Sequence, residues 1–230
     1  MLAYIGLDDT DNPESRGTGH LARTIADQVS PYYPICGITR HQLLFDPRVP
    51  YTAKNSSAAI MVEMKDQNDI TDLFAKVREI MLADFQPGSD PGLCVAQNVP
   101  ADITRFGQKA KVDLVTQAEA RALAAQCGIL LEGLGGTQDG VIGALAAVGL
   151  ACGGSDGRYI RVGTVRDLQG WQPVNTILAA GVDKIQTTVG EAILKGNILA
   201  DKLRPARRDH KVVLFVEAQT TDSWLPIKLD

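Results

Sequence analysis

Ile5-Gly6-Leu7 runs directly into Asp8-Asp9-Thr10-Asp11, so an apolar stretch ends on three carboxylates within four residues. Negative charge packed this densely is costly unless a cation neutralises it. Oxygen ligands suit Mg2+, which keeps several waters and is usually completed by substrate phosphates. Alternation along an extended strand puts Asp9 and Asp11 on one side and Asp8 on the other. Two of them would then serve the metal while the third orients or caps. The competing reading is an acidic surface turn with a helix-capping Asp. Gly17-Thr18-Gly19 follows and opens a helical pattern, and the free backbone donors of such a turn make a ready anion site. Thr10 lies between the acids, within reach of the same ligand.

A second set of residues is Gly133-Leu134-Gly135-Gly136-Thr137-Gln138-Asp139-Gly140, followed by the small, apolar run Val141 to Ala147. Glycines opening a helix let backbone amides approach a phosphate, here at Gly135, Gly136 and Thr137. No Gly-Lys-Ser/Thr follows, so this is not a Walker loop. Close helix packing through small residues is the alternative, and Gly143 can pack while Gly135 and Gly136 bind. A third set, Arg40-His41-Gln42 and Asp46 to Ser57, carries Arg48 and Lys54 between two strands and could clamp a polyphosphate. His41 is either a base or a structural histidine. Lys202, Arg204, Arg207, Arg208 and Lys211 could touch nucleic-acid phosphates, although a solvated element end is the reading favoured here.

The elements that must position these residues follow from pattern. Ala3–Leu7, 36–45 and 57–64 read as strands, and Thr18 caps a helix that runs through His20 to about Val29. Ile70, Leu73, Phe74, Val77, Ile80 and Met81 give an amphipathic helix over 69–85. Residues 86–92 form a loop and a candidate subdomain boundary, and 93–96 a short strand. Thr116 and Glu119 form a capping box for a helix over 116–127 that Gly128 stops. Val141–Leu150 reads as a buried helix. Further on, 159–165 and 183–188 read as strands, 174–180 as a helix, and 212–216 as the closing strand. The mixture is α/β or α+β.

Composition narrows the class. Of 230 residues, 45% are hydrophobic and 22% charged, enough for a sizeable core, with only 5% aromatic. A formal net charge of -4 argues against nonspecific nucleic-acid binding by the chain as a whole. The four cysteines form no close pair, which argues against a zinc ribbon, and nothing suggests a secreted disulfide scaffold. The N-terminus lacks a signal-peptide pattern and no apolar run reaches membrane-spanning length, so a cytoplasmic protein with no membrane partner is expected.

Taken together, Ile5 to Asp11 with Thr18 and Leu21-Ala22, Pro47 to Ala58, Asp90-Pro91-Gly92, and Gly140 to Ala147 resemble, in order, blocks of the archaeal agmatidine synthetases that modify the wobble cytidine of an isoleucine tRNA. The resemblance covers residues 1–160 well and 161–230 weakly. It implies a kinase-like N-terminal unit with a smaller ferredoxin-like α+β unit. It also implies ATP and Mg2+ held by Asp8, Asp9 and Asp11, and phosphoryl transfer that activates a base carbonyl before an amine attacks, a kinase- and ligase-type reaction. Thr18 aligns with a threonine that becomes phosphorylated in the family. The implied partners are a nucleotide, with tRNA or a small-molecule amine or metabolite as acceptor, and a homo-oligomer stays open. The sequence departs from the family in three places. The OB-fold and zinc ribbon are not present in these residues, Thr52-Ala53-Lys54-Asn55-Ser56 replaces Lys-Thr-Arg-Gly-Asn, and Gly19-His20 follows the threonine. A kinase or ligase acting on a small metabolite, and a non-catalytic nucleotide-binding module, are the rival readings.

Overall fold

A computed structural model describes residues 1–49, 55–65 and 70–229. They form two compact units, Met1–Gly153 and Gly154–Asp230.

The first unit runs β1 (Leu2–Asp8), α1 (Thr18–Val29), β2 (Ile35–Gln42), β3 (Ser56–Glu63), α2 (Ile70–Ala83), β4 (Gly92–Gln97), α3 (Ala101–Val112), α4 (Gln117–Gln126), β5 (Leu130–Gly133) and α5 (Gly140–Gly153). Its strands lie in the order β5-β4-β1-β3-β2, and every pairing is antiparallel. The first six elements make a split β-α-β pair with β1 and β3 at the centre. This is an α+β unit. Ala3 to Leu7 are buried without alternation, the signature of a central strand covered on both faces.

Helix α5 explains how the sheet is capped. Nearly all its side chains are small and buried, so it has no solvent face. A Cβ at Gly6 would run into the Ala144 carbonyl, and one at Gly92 into the Gly140 backbone. A Cβ at Gly149 would strike the Ile103 carbonyl on α3. Backbone therefore rests on backbone, and the packing role of the small-residue run holds. Helix α4 carries the expected capping box, with the Thr116 side chain accepting from Glu119 N–H and the Glu119 carboxylate accepting from Thr116 N–H. Helix α1 differs in detail: Gly17 is its cap residue and Thr18 its first helical residue.

The second unit holds β6 (Arg158–Arg161), β7 (Trp171–Pro173), α6 (Val174–Ala179), β8 (Lys184–Gln186), β9 (Asn197–Leu199), β10 (Ala206–Arg208), β11 (Lys211–Thr220) and β12 (Ser223–Ile227). Strand β11 organises it, pairing antiparallel with β10 and β12 and parallel with β8. Ala206, Val213 and Phe215 pack with Ile227 and Leu229. Asp209 and His210 both take positive φ, 49° and 62°, as a two-residue hairpin between β10 and β11 requires. The expected closing strand over 212–216 is longer and is not the last, because β12 pairs back onto it. Among the described residues no helix is long and apolar enough to cross a membrane.

Candidate active site

The first unit contains a cavity of about 230 Å³ lined by Asp8, Asp9, Asp11 and Thr18, by Asp139, Gly140 and Gly143 at the start of α5, and by Arg48, Asn55 and Ser56. Leu43, Leu44, Val49, Leu114, Val115 and Ile142 give it an apolar wall. The acidic loop and the helix opening after it thus share one space with the amino end of α5.

Asp8 ends β1 and points towards α5, where its carboxylate occupies the place a Cβ on Gly143 would take. Burial pushes its pKa up to about 7, and the Asp9 and then Asp11 carboxylates push the same way, against a backbone hydrogen bond at Asp9. Asp9 sits at φ 50°, a left-handed conformation that Asp and Asn accept better than other non-glycine residues. Burial again raises its pKa, to about 6, helped by Asp90, Asp11 and Asp139. Asp11 accepts a hydrogen bond from Thr18 Oγ1 at 3.2 Å, and Thr10 Oγ1 donates to Thr18 Oγ1 at 3.1 Å. Asn12 braces the loop: its Oδ1 accepts from the Glu14 and Ser15 amides at 3.0 and 2.9 Å, and its Nδ2 donates to the Pro87 carbonyl at 3.1 Å. Gly17 precedes the helix with no side-chain cap, which leaves the first amides, at Thr18 and Gly19, directed outward.

The described ion pairs include none of Asp8, Asp9 or Asp11. Among the described residues no three His, Cys, Asp or Glu side chains converge on one metal-sized position. A cation at this loop would take one or two carboxylates and complete its shell with water and phosphate oxygens, the habit of Mg2+. Asp8, Asp9 and Asp11 all line the cavity, so one or two of their carboxylates can be offered to such an ion.

The other expected residues are divided. Gly135, Gly136 and Thr137 lie outside the cavity lining. The Thr137 amide donates to the Asp90 carboxylate, and Gly136, at φ 55°, leaves room for that carboxylate. Thr137 Oγ1 donates to Asp139 Oδ2 at 3.0 Å, and Gln117 Nε2 donates to Asp139 Oδ1 at 2.6 Å, so this loop aims Asp139 at the cavity. Arg48 lines the cavity but its guanidinium is held by Asp46, with both contacts at 2.8 Å. The same contacts pull the Asp46 pKa down to about 2. Lys54 lies outside the described residues. His41 is fully buried, with Nε2 2.8 Å from Thr39 Oγ1, and does not line the cavity. In the second unit Arg207 is buried rather than solvated, donating to the Tyr159 hydroxyl at 2.6 Å. Reasoning from sequence missed Asp139 and the Leu114–Val115 wall. For Asp139 a signal existed, an acid one residue before the glycine that starts α5.

The first unit is thus an α+β unit whose acid-floored cavity opens at the amino end of a helix. Its relatives are tRNA-modifying proteins. The chain is 29% identical over 155 residues to TiaS of Pyrococcus horikoshii, the 2-agmatinylcytidine synthetase of an isoleucine tRNA, covering 65% of this chain and 36% of that protein. It is 27% identical over 152 residues to the TiaS of Thermococcus sibiricus, covering 64% and 34%. Among solved structures it matches a complex of TiaS with its isoleucine tRNA and ATP at TM-score 0.57 and 26% identity, covering 65% of this chain and 36% of that one. A tRNA fluorescent labeling enzyme matches at TM-score 0.56 and 26% identity, with the same coverage. No family model matches. The chain is TiaS-like, and it spans about a third of the length of the curated relatives it matches.

Proposed function

We propose that this chain is an Mg-ATP-dependent phosphoryl-transfer or ligase-type enzyme related to the agmatidine synthetases, working at the cavity floored by Asp8, Asp9 and Asp11. The observation that carries the reading is the meeting of these three acids with Thr18 and the open amino end of α1 in one cavity. A relative crystallised with ATP and an isoleucine tRNA supports it. When bound, the nucleotide and its metal supply an electrophilic phosphoryl group with its charge partly neutralised.

The chain's own residues then do four things. One or two of Asp8, Asp9 and Asp11 ligate the cation and the remaining charge neutralises it from beside, Asp8 wedged against α5 and Asp11 fixed by Thr18. The Thr18 and Gly19 amides take phosphate oxygens, while the Thr10 and Thr18 hydroxyls hold Asp11 in place. Lys54 offsets the charge that develops during transfer. The apolar wall from Leu43 to Val115 limits water beside the reacting group. Catalysis of phosphoryl transfer rests on positioning and charge neutralisation more than on a strong nucleophile, and this set supplies both. The acceptor is a tRNA base or a small amine or metabolite. Gly135, Gly136 and Thr137 act indirectly, by placing Asp139.

Calorimetric titration of ATP with and without Mg2+, on native protein and on Asp9→Asn, tests this. Asn keeps the left-handed conformation at position 9, so the fold is retained. Expected is Mg2+-dependent binding that the variant loses. Binding without turnover on any acceptor leaves a nucleotide-binding module, and no binding to the native chain overturns the reading.

A further inference from the structure

Ser57 is fully buried, and its hydroxyl has no hydrogen-bond partner. Such a group costs about 1–3 kcal/mol relative to a satisfied one, so a role is expected for it. The sheet register locates that role. Leu7 pairs with Ala58 across β1 and β3, and continuing by one residue sets Asp8 opposite Ser57. Ser57 in turn pairs with His41 on β2, while Asp8 pairs with Gly92 on β4.

Alternation fixes the face. Gly6, two residues before Asp8, lies under Ala144 of α5 and pairs with Ala59, which pairs with Thr39. Asp8, Ser57 and His41 are each two residues along from that row, so they share its face beneath α5. The result is a polar row, Asp8–Ser57–His41, beside Thr39 in a largely apolar layer. His41 Nε2 is engaged with Thr39 Oγ1 at 2.8 Å. Directly opposed residues on an antiparallel pair have Cβ atoms about 4.5–5.5 Å apart, a spacing that a serine hydroxyl and a carboxylate can bridge.

We infer that Ser57 is a positioning residue for Asp8: its hydroxyl donates to the Asp8 carboxylate and fixes which oxygen faces the cavity. The acid is then clamped from two sides, by Gly143 of α5 and by Ser57 of β3. This rests on the reading of Asp8 as a cation ligand. Hydrogen-bonding partners of metal ligands commonly alter metal affinity about 10–100-fold, and none of this depends on contact between Ser57 and substrate.

The test measures Mn2+ binding by electron paramagnetic resonance, and Mg2+-dependent ATP binding by calorimetry, on native protein, Ser57→Ala and Ser57→Cys. The cysteine keeps the shape and offers only a weak donor. Expected is about a tenfold rise in the cation concentration needed by both variants. A merely structural Ser57 would move the midpoint and leave the cation requirement alone, which overturns the assignment. Mn2+ binding that depends on Ser57 without any nucleotide binding supports the assignment and overturns the proposed function alone. A native protein that binds neither overturns both.

Discussion

Replacing Asp8 by Asn should make the ligand-free protein more stable, and only above acidic pH. The Asp8 pKa is raised from 3.8 to about 7, so the folded protein keeps a proton that the unfolded chain gives up. Between about pH 4 and pH 7 the folded state therefore binds more protons, and stability falls as pH rises through that window, then levels off. A rise of roughly 3 units at about 1.36 kcal/mol each sets a ceiling near 4 kcal/mol. Part of it comes from the Asp9 and Asp11 charges and the cavity admits water, so about 1–2 kcal/mol is expected. Asn keeps an oxygen to accept from the Asp9 amide but carries no charge to bury. At pH 8 the variant should melt about 2–8 °C higher than native, with the difference gone near pH 4. Mg2+ should raise the native midpoint at pH 8 and leave the variant unmoved. Thermal melts across pH 4–8 with and without Mg2+ measure all of this. Parallel native and variant profiles would refute the placement of a charged, cation-seeking carboxylate at this position.

Gly143→Ala places a methyl where the Asp8 carboxylate lies and should cost about 1–3 kcal/mol as overpacking, while weakening Mg2+-dependent ATP binding tenfold or more. Gly149→Ala, on the same helix as Gly143 but meeting the Ile103 carbonyl of α3, should lose comparable stability with native binding; equal binding losses in the two variants would remove the special link to Asp8. Thr18, hydrogen-bonded to Asp11 and facing the cavity, is the residue expected to accept label from γ-labelled ATP. Thr18→Ala should abolish labelling of the chain, and undiminished label would rule the site out.

Much of the first unit could be read directly because its signals are local. The Thr116/Glu119 box marks α4, and Leu73, Val77 and Met81 repeat every four residues along α2. Helix α3 escaped because Gly107 stands in its middle, and that glycine is there to let α5 approach: a Cβ at this position would lie 2.8 Å from the Ala146 carbonyl. The cue that hid the helix is a tertiary requirement. Strands β7, β9 and β10 have three residues each, too few for alternation to declare itself. The acidic loop was legible from charge density alone. What sequence could not give is the partnership of Asp90 with the Gly136–Thr137 turn, since Asp90 comes 47 residues before Thr137 and only the fold brings them together.

The contact between α5 and the sheet has an evolutionary consequence. Gly6, Gly92 and Gly140 hold the seam beneath α5 by what they lack, so every substitution there adds atoms and none can be matched by trimming a neighbour, because the nearest neighbour is main chain. Such a seam cannot drift through compensated pairs of mutations, as ordinary cores do. Substitution is therefore easier in the cavity's outer wall, around Leu43, Leu114 and Val115, where apolar side chains can exchange volume while the floor stays as it is.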